Sequence, residues 1–167
     1  SSEVFGYNRT YTVQAEALGV GGKTTTAQGF TTSAPNTLTA AYISPAKGSK
    51  VGVAQTIGVR FDEAIKDRKA AQDAIEITTT PSVEGAFYWI SANEVRWRPE
   101  HFWKPGTKVD IKVNTYGIDL GDGMFGQENV SSNFTVERDL QMEVDDSNKI
   151  VYVKRDGKVI REMPTSM

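Results

Sequence analysis

Few side chains in this sequence could do covalent or acid–base chemistry. Cysteine is absent and histidine occurs once, at His101. That leaves no thiol nucleophile, no disulfide framework and no zinc site of the usual Cys/His kind. A Ser-His-Asp arrangement would have to be built on His101 alone, and no serine nucleophile or oriented carboxylate stands out near it, so a hydrogen-bonded structural histidine is the expectation. Glu63, Glu84, Glu94 and Glu100 could supply the two carboxylates of a glycosidase, but no pair among them is singled out by spacing. Gly22-Lys23-Thr24 matches the end of a phosphate-binding loop. That loop needs a glycine five positions before Gly22, where Ala17 stands, so a hairpin turn is the better reading. Asp119 and Asp122 lie among Gly117, Gly121, Gly123 and Gly126, but the spacing misses the alternating oxygens of a calcium loop and no glutamate closes it. No cofactor and no metal is expected.

Aromatic chemistry is the remaining possibility. Trp89, Trp97 and Trp103, with Phe87, Tyr88 and Phe102, could stack on sugar rings, or could fill a core. Phe87 and Tyr88 are neighbours on one strand, so they point to opposite faces and one of them leaves the core. Arg96, Arg98, Lys104, Lys108 and Lys112 form a locally basic stripe, expected to be a solvated face. The formal net charge is −2, which gives no general drive toward nucleic acid or anionic lipid. No apolar run approaches the roughly 20 residues of a membrane span. The start at Ser1-Ser2-Glu3 reads as a processing boundary rather than an initiation site. Asn8, Asn129 and Asn133 match the N-glycosylation pattern, which would mean nothing were the protein bacterial.

The elements that must carry these residues show a period of two. Tyr11, Val13, Ala15 and Ala17 alternate with polar neighbours, as in a strand with one buried face, and Lys23 to Thr32 returns after a longer Gly-rich loop. Ser33-Ala34-Pro35-Asn36 is a linker signal. Beyond it, Ile57, Val59 and Phe61 alternate, as do Val109, Ile111 and Val113. Ala86 to Ile90 and Glu94 to Arg98 form a strand pair about the turn Ser91-Ala92-Asn93. Asp67 to Ala74 is the one helical stretch, about two turns long with Asp67 as N-cap. Trp103-Lys104-Pro105-Gly106 is a Pro-Gly turn. Leu140, Met142 and Val144 alternate again, and turns at 145–148 and 155–158 divide the rest into short strands. Short strands at intervals of about 8–12 residues indicate an all-β, immunoglobulin-like sandwich with one short helix, flanked by a hairpin and a C-terminal β stub.

The run from Val95-Arg96-Trp97-Arg98-Pro99-Glu100-His101-Phe102-Trp103-Lys104-Pro105-Gly106 to Val109, continuing through Val113-Asn114-Thr115-Tyr116-Gly117 to Met124-Phe125-Gly126, resembles the mycobacterial-type L,D-transpeptidases. Gly22 to Thr26, Phe30-Thr31-Thr32 and Lys149 to Met167 share the resemblance, which covers essentially the whole chain. It implies residues 1–34 as the last strands of a first Ig-like domain, 35–137 as a complete second one, and 138–167 as the first strands of a truncated catalytic domain. It also implies an extracytoplasmic parent, membrane-anchored through an N-terminal segment, that forms 3→3 peptidoglycan cross-links through an acylated cysteine in a Ser-His-Gly-Cys motif. That motif is not in these residues, so the chain itself is expected to be a non-catalytic spacer. Expected partners are its own catalytic domain and, as an alternative function, peptidoglycan. The chain is expected to be monomeric, and His101, Phe102, Trp103 and Tyr116 are the candidates for packing between domains. A third reading is an adhesin-type sandwich that binds a protein through an exposed apolar patch.

Overall fold

The computed structural model describes residues 4–165. The chain begins as a hairpin of β1 (Thr10–Gly19) and β2 (Gly22–Thr31). Pairing runs from Thr10↔Thr31 to Gly19↔Gly22, so the loop is two residues, Val20-Gly21, and not the longer Gly-rich loop expected. Gly22 takes φ +106, a conformation that costs glycine little and other residues much, and this lets the ladder close so tightly. The alternation along β1 does not bury a face. All of β1 and β2 except the half-buried Tyr11 is exposed, because among the described residues no layer lies over the hairpin.

Next come β3 (Thr37–Thr39), β4 (Ala41–Ser44), β5 (Ser49–Gly52), β6 (Ile57–Phe61), α1 (Arg68–Asp73), β7 (Ile75–Thr80), β8 (Gly85–Trp89), β9 (Glu94–Pro99), β10 (Lys108–Val113), β11 (Met124–Gly126) and β12 (Val130–Arg138). One sheet has the order β4-β6-β9-β8 and is antiparallel throughout. The other has the order β5-β12-β10-β7, with β5 parallel to β12. Strands one, two, five and four of an immunoglobulin fold thus lie in one sheet, and three, six and seven in the other. The first strand is split so that its second half, β5, crosses to the last strand. β3 and β11 add a small parallel pair.

Period-two patterning builds the core. Ile57, Val59 and Phe61 from β6, and Val95 and Trp97 from β9, meet Val109, Ile111 and Val113 from β10 and Phe134 and Val136 from β12 in one buried cluster. Phe87 packs against this cluster while Tyr88, its neighbour, is exposed, as the alternation requires. α1 is six residues, shorter than the two turns expected. Asp67 caps it by accepting from the Ala70 amide at 2.9 Å, and Ala71 is its buried contact. Gly106 at φ +87 and the Thr107 amide bonded to the Lys104 carbonyl at 3.1 Å make the Pro105-Gly106 turn type II. No buried side-chain nitrogen or oxygen among the described residues lacks a hydrogen-bond partner.

Asp62 shows how the polar groups at the edge of this core are held. Its Oδ1 accepts from the buried Thr39 hydroxyl at 2.6 Å and from the Ala40 amide at 2.8 Å. Partial desolvation pushes its carboxyl up, but these donors outweigh it and leave the pKa below the ordinary value. A depressed carboxylate adds stability above its unfolded pKa of about 3.9 and loses it as pH falls through the folded value. Asp62→Ala, which orphans the Thr39 hydroxyl, is therefore expected to cost about 1–3 kcal/mol at pH 7. In urea titrations the gap to the native sequence should narrow at pH 3. A gap unchanged at acid pH would show that the charge is irrelevant.

After a single residue, Asp139, the chain forms a meander of β13 (Leu140–Asp145), β14 (Ile150–Arg155) and β15 (Lys158–Pro164). Among the described residues this sheet makes no ladder with the sandwich.

Candidate functional site

The structure scatters the residues that might have done chemistry. His101 is exposed, not fixed in the core, and stands with Phe102 on the β9–β10 loop. Together with Val53 to Thr56 and Arg98 to Glu100 they line an open cleft of about 600 Å³. Glu63, Glu84 and Glu100 are exposed, and Glu94 faces Arg96 across 3.0 Å rather than a second carboxylate. Asp119 caps its own turn by accepting from the Gly121 amide at 2.8 Å, and no cluster of metal-ligating side chains occurs among the described residues. Lys23 lies on β2, paired with Glu16 at 2.8 Å.

The indoles turn inward. Trp97 and Trp103 are buried, with ring centroids 5.6 Å apart, and Phe134 meets Trp103 edge-on at 5.9 Å. Trp89 is half-buried; its Nε1 donates to Gln72 at 2.8 Å and the Arg68 guanidinium lies over its ring. None of the three offers a free platform for a sugar. The basic stripe is not continuous either. Arg96 and Arg98 lie on β9, whereas Lys108 and Lys112 lie on β10 of the other sheet.

Trp103 needs correction as an interdomain residue. It is 2% exposed, its Nε1 donates to the Gln55 carbonyl at 2.7 Å, and its own amide donates to the Val53 carbonyl at 2.9 Å. It plugs the corner between β9 and β10 and has no surface left for a neighbour. His101 and Phe102 do have surface, Phe102 being 63% exposed.

Tyr116 meets a different segment, one that sequence reasoning missed. The Tyr7 ring packs on Tyr116 at 4.8 Å and on Phe125 at 5.6 Å. The Tyr7 hydroxyl donates to the Gly126 carbonyl at 2.7 Å and accepts from the Gly117 amide at 2.6 Å. One phenol thus pins the segment before β1 to two points of the sandwich. Thr32, just after β2, ties that segment to the hairpin by donating to the Gly6 carbonyl at 2.6 Å. The partners lie 110 and 119 positions away, and no local pattern marks the tyrosine. Burial raises the Tyr7 pKa, against the lowering by the Gly117 amide. Its contribution is therefore fully present below about pH 10, the unperturbed value, and is lost as pH rises through the folded value. Tyr7→Phe is expected to cost about 1 kcal/mol locally and to raise hydrogen exchange at Gly117, with the core of the sandwich unchanged. Exchange at Gly117 equal to the native rate would remove Tyr7 as the pin.

The C-terminal meander carries the other unusual surface. Leu140, Met142 and Val144 share one face of β13, and the register sets Met142 beside Val153 and Val144 beside Val151. Val151 in turn lies beside Met163. Met142 is 68% exposed and Val144 54%. The opposite face carries polar pairs such as Lys154 with Glu143. One side of this small sheet is thus built as a core face but has no cover among the described residues.

Residues 1–119 match the family described as Bacterial Ig domain. Across all 167 residues the chain is 55% identical to L,D-transpeptidase 2 of Mycobacterium tuberculosis, covering 41% of that protein. It is 35% identical over 170 residues to L,D-transpeptidase 5 of the same species, covering 99% of this chain and 38% of that protein. Among solved structures it is similar to LD transpeptidase LdtMt1 in complex with imipenem, with a TM-score of 0.59 and 30% identity over 73% of this chain and 50% of that one. It is also similar to an L,D-transpeptidase from Mycobacterium smegmatis, with a TM-score of 0.54 and 27% identity over the same shares. The chain spans less than half the length of these curated relatives. Sequence, sheet order and relatives agree that the chain belongs to the bacterial Ig domain family, in the form carried by mycobacterial-type L,D-transpeptidases.

Proposed function

We propose that this chain is the spacer region of an L,D-transpeptidase that forms 3→3 cross-links between peptidoglycan stem peptides in the cell envelope. On this reading residues 1–34 close a first Ig-like domain, 35–137 form a complete second one, and 138–167 open the catalytic domain. The observation that carries it is the full-length match. Identity to L,D-transpeptidase 2 runs through the sandwich and on into a meander whose apolar face lacks a cover. A catalytic domain packed on Leu140, Met142 and Val144 would supply that cover. The sandwich then does no covalent chemistry; it holds the active site at a fixed reach from the membrane anchor, with stiffness from a close-packed core.

The test compares the enzyme encoded by the full reading frame with a variant lacking residues 37–138. Transfer between small soluble stem peptides should survive the deletion, while 3→3 cross-links in intact sacculi, counted by muropeptide mass spectrometry, should fall. Unchanged sacculus cross-linking would overturn the spacer role, and acyl transfer by the isolated 167-residue polypeptide would overturn the assignment of chemistry elsewhere. In the same enzyme Met142→Asp, a charge set into the proposed interface, should lower the melting temperature sharply. A neutral effect would leave the meander's face without its proposed cover.

A peptidoglycan-binding role is the second reading. The cleft beside β9, with His101 and the exposed Phe102 at its mouth, favours it. Retention of the polypeptide on purified sacculi, abolished by Phe102→Ala, would support binding; a pure spacer is not retained.

A further inference from the structure

We infer that the sandwich is a tension-bearing clamp, arranged so that pulling on the chain from its two ends loads its parallel strand pairs in shear. The inference rests on the spacer reading for its biological setting and on the strand register for its mechanics.

Among the described residues two strand pairs run parallel, β3–β11 and β5–β12. Both tie the segment by which the chain enters the sandwich, 37–52, to the segment by which it leaves, 124–138. In β5–β12, Ser49 lies beside Phe134 and Gly52 beside Arg138. The entering end of one strand and the leaving end of the other are therefore at opposite ends of the pair. Tension applied there runs along the strands, across the hydrogen bonds, and all the bonds share it. In an antiparallel hairpin pulled by its two ends the bonds open one after another. Each bond is individually weak, so loading them together or in turn decides the force the pair can bear.

Further contacts bracket the pair. The Gly48 amide bonds Asn133 at its carbonyl, 2.8 Å, and at its side chain, 3.0 Å. The buried Ser132 hydroxyl donates to the Pro45 carbonyl at 2.7 Å. At the far end the Val53 amide donates to the Arg138 carbonyl at 3.2 Å, and Lys50 pairs with Glu137 at 2.5 Å. The β3–β11 pair is extended in the same way by the Asn36 amide on the Gly123 carbonyl and the Gln127 amide on the Thr39 carbonyl. Asp139 alone separates β12 from β13, so a load on the meander reaches Arg138 with almost no slack.

Single-molecule force spectroscopy tests this directly. With handles at the two ends of the chain, the sandwich is recognised by the release of about 350 Å of extended chain. A second geometry places the handles at Tyr42→Cys and Tyr88→Cys, on the two edge strands of the antiparallel sheet β4-β6-β9-β8; the native chain has no cysteine to interfere. That geometry pulls perpendicular to the strands and opens the ladder progressively. The end-to-end force is expected to exceed the cross-sheet force by at least about twofold, since forced unfolding reports the barrier along the pulled direction and not the equilibrium stability. Val51→Pro, which deletes a β5 amide that faces Thr135 of β12, should lower the end-to-end force more than the cross-sheet force. Equal forces in both directions would overturn the clamp, as would an end-to-end force indifferent to Val51→Pro. Should the proline variant fail to fold, the comparison of directions in the native sequence decides alone. A failed clamp would leave the sacculus test of the spacer role unaffected, because that test measures reach and not force.

Discussion

Replacing Trp103 with alanine is expected to lower the unfolding free energy of the sandwich by about 3–5 kcal/mol, enough to unfold a large share of a domain of ordinary stability. The indole lies between Trp97 and Phe134, is 2% exposed, and its Nε1–H satisfies the Gln55 carbonyl. Truncation would open a cavity and orphan that carbonyl together. Trp103→Phe separates the two terms. It refills most of the volume but cannot donate, and should recover all but about 1–2 kcal/mol of the loss. The adjacent Phe102→Ala, at an exposed position, should stay within about 0.5 kcal/mol of the native chain. Urea unfolding followed by circular dichroism reads all three. A Trp103→Ala midpoint close to that of Phe102→Ala would mean that the corner is not plugged from within.

The second large effect is expected at Gly126, from a different cause. A Cβ there would stand 2.4 Å from both the Cβ and the carbonyl oxygen of Thr115. Backbone cannot swing aside as a flexible side chain would, so Gly126→Ala should cost about 3 kcal/mol. The loss should also be local. Gly126 pairs with Thr39 across β3–β11, and its carbonyl accepts the Tyr7 hydroxyl. Hydrogen exchange should therefore rise in β3, β11 and at Gly117 while β10 and β12 keep their protection. Gly106→Ala is the useful contrast. Its added Cβ would meet nothing within 4 Å, and only the positive φ is penalised, by about 1–2 kcal/mol. A Gly126→Ala chain as stable as the native one would refute the close approach of β11 to Thr115.

How much of this could be read from the sequence varied with the reach of the interaction that decides it. Val109, Ile111 and Val113 gave up their strand and its buried face at once, because period two is a local signal and the core side matches it. Asp67 marked the start of α1 for the same reason. β3 and β11 are three residues each, too short to show a period, and exist only because each lies against the other. Phe102 and Trp103 are adjacent aromatics, and nothing local says which goes inside; the choice is made by the Gln55 carbonyl 48 positions away. The β1 alternation was a true strand signal that promised burial, but an alternating strand can be covered only by a layer, and none of the described residues forms one there. Tyr7 was silent altogether, since its partners come from a loop and a strand more than a hundred positions on.

The Tyr7 joint also has a geometric consequence. Each strand of the β1–β2 hairpin has ten residues, a lever arm of about 34 Å at the usual rise per residue. The fulcrum of that arm is one side chain, the Tyr7 ring on Tyr116 and Phe125 with its hydroxyl between Gly117 and Gly126. A tilt of about 10° at that joint would sweep the far tip through about 6 Å over that arm. Small adjustments at one residue are thus magnified at the Val20-Gly21 tip into displacements of molecular size.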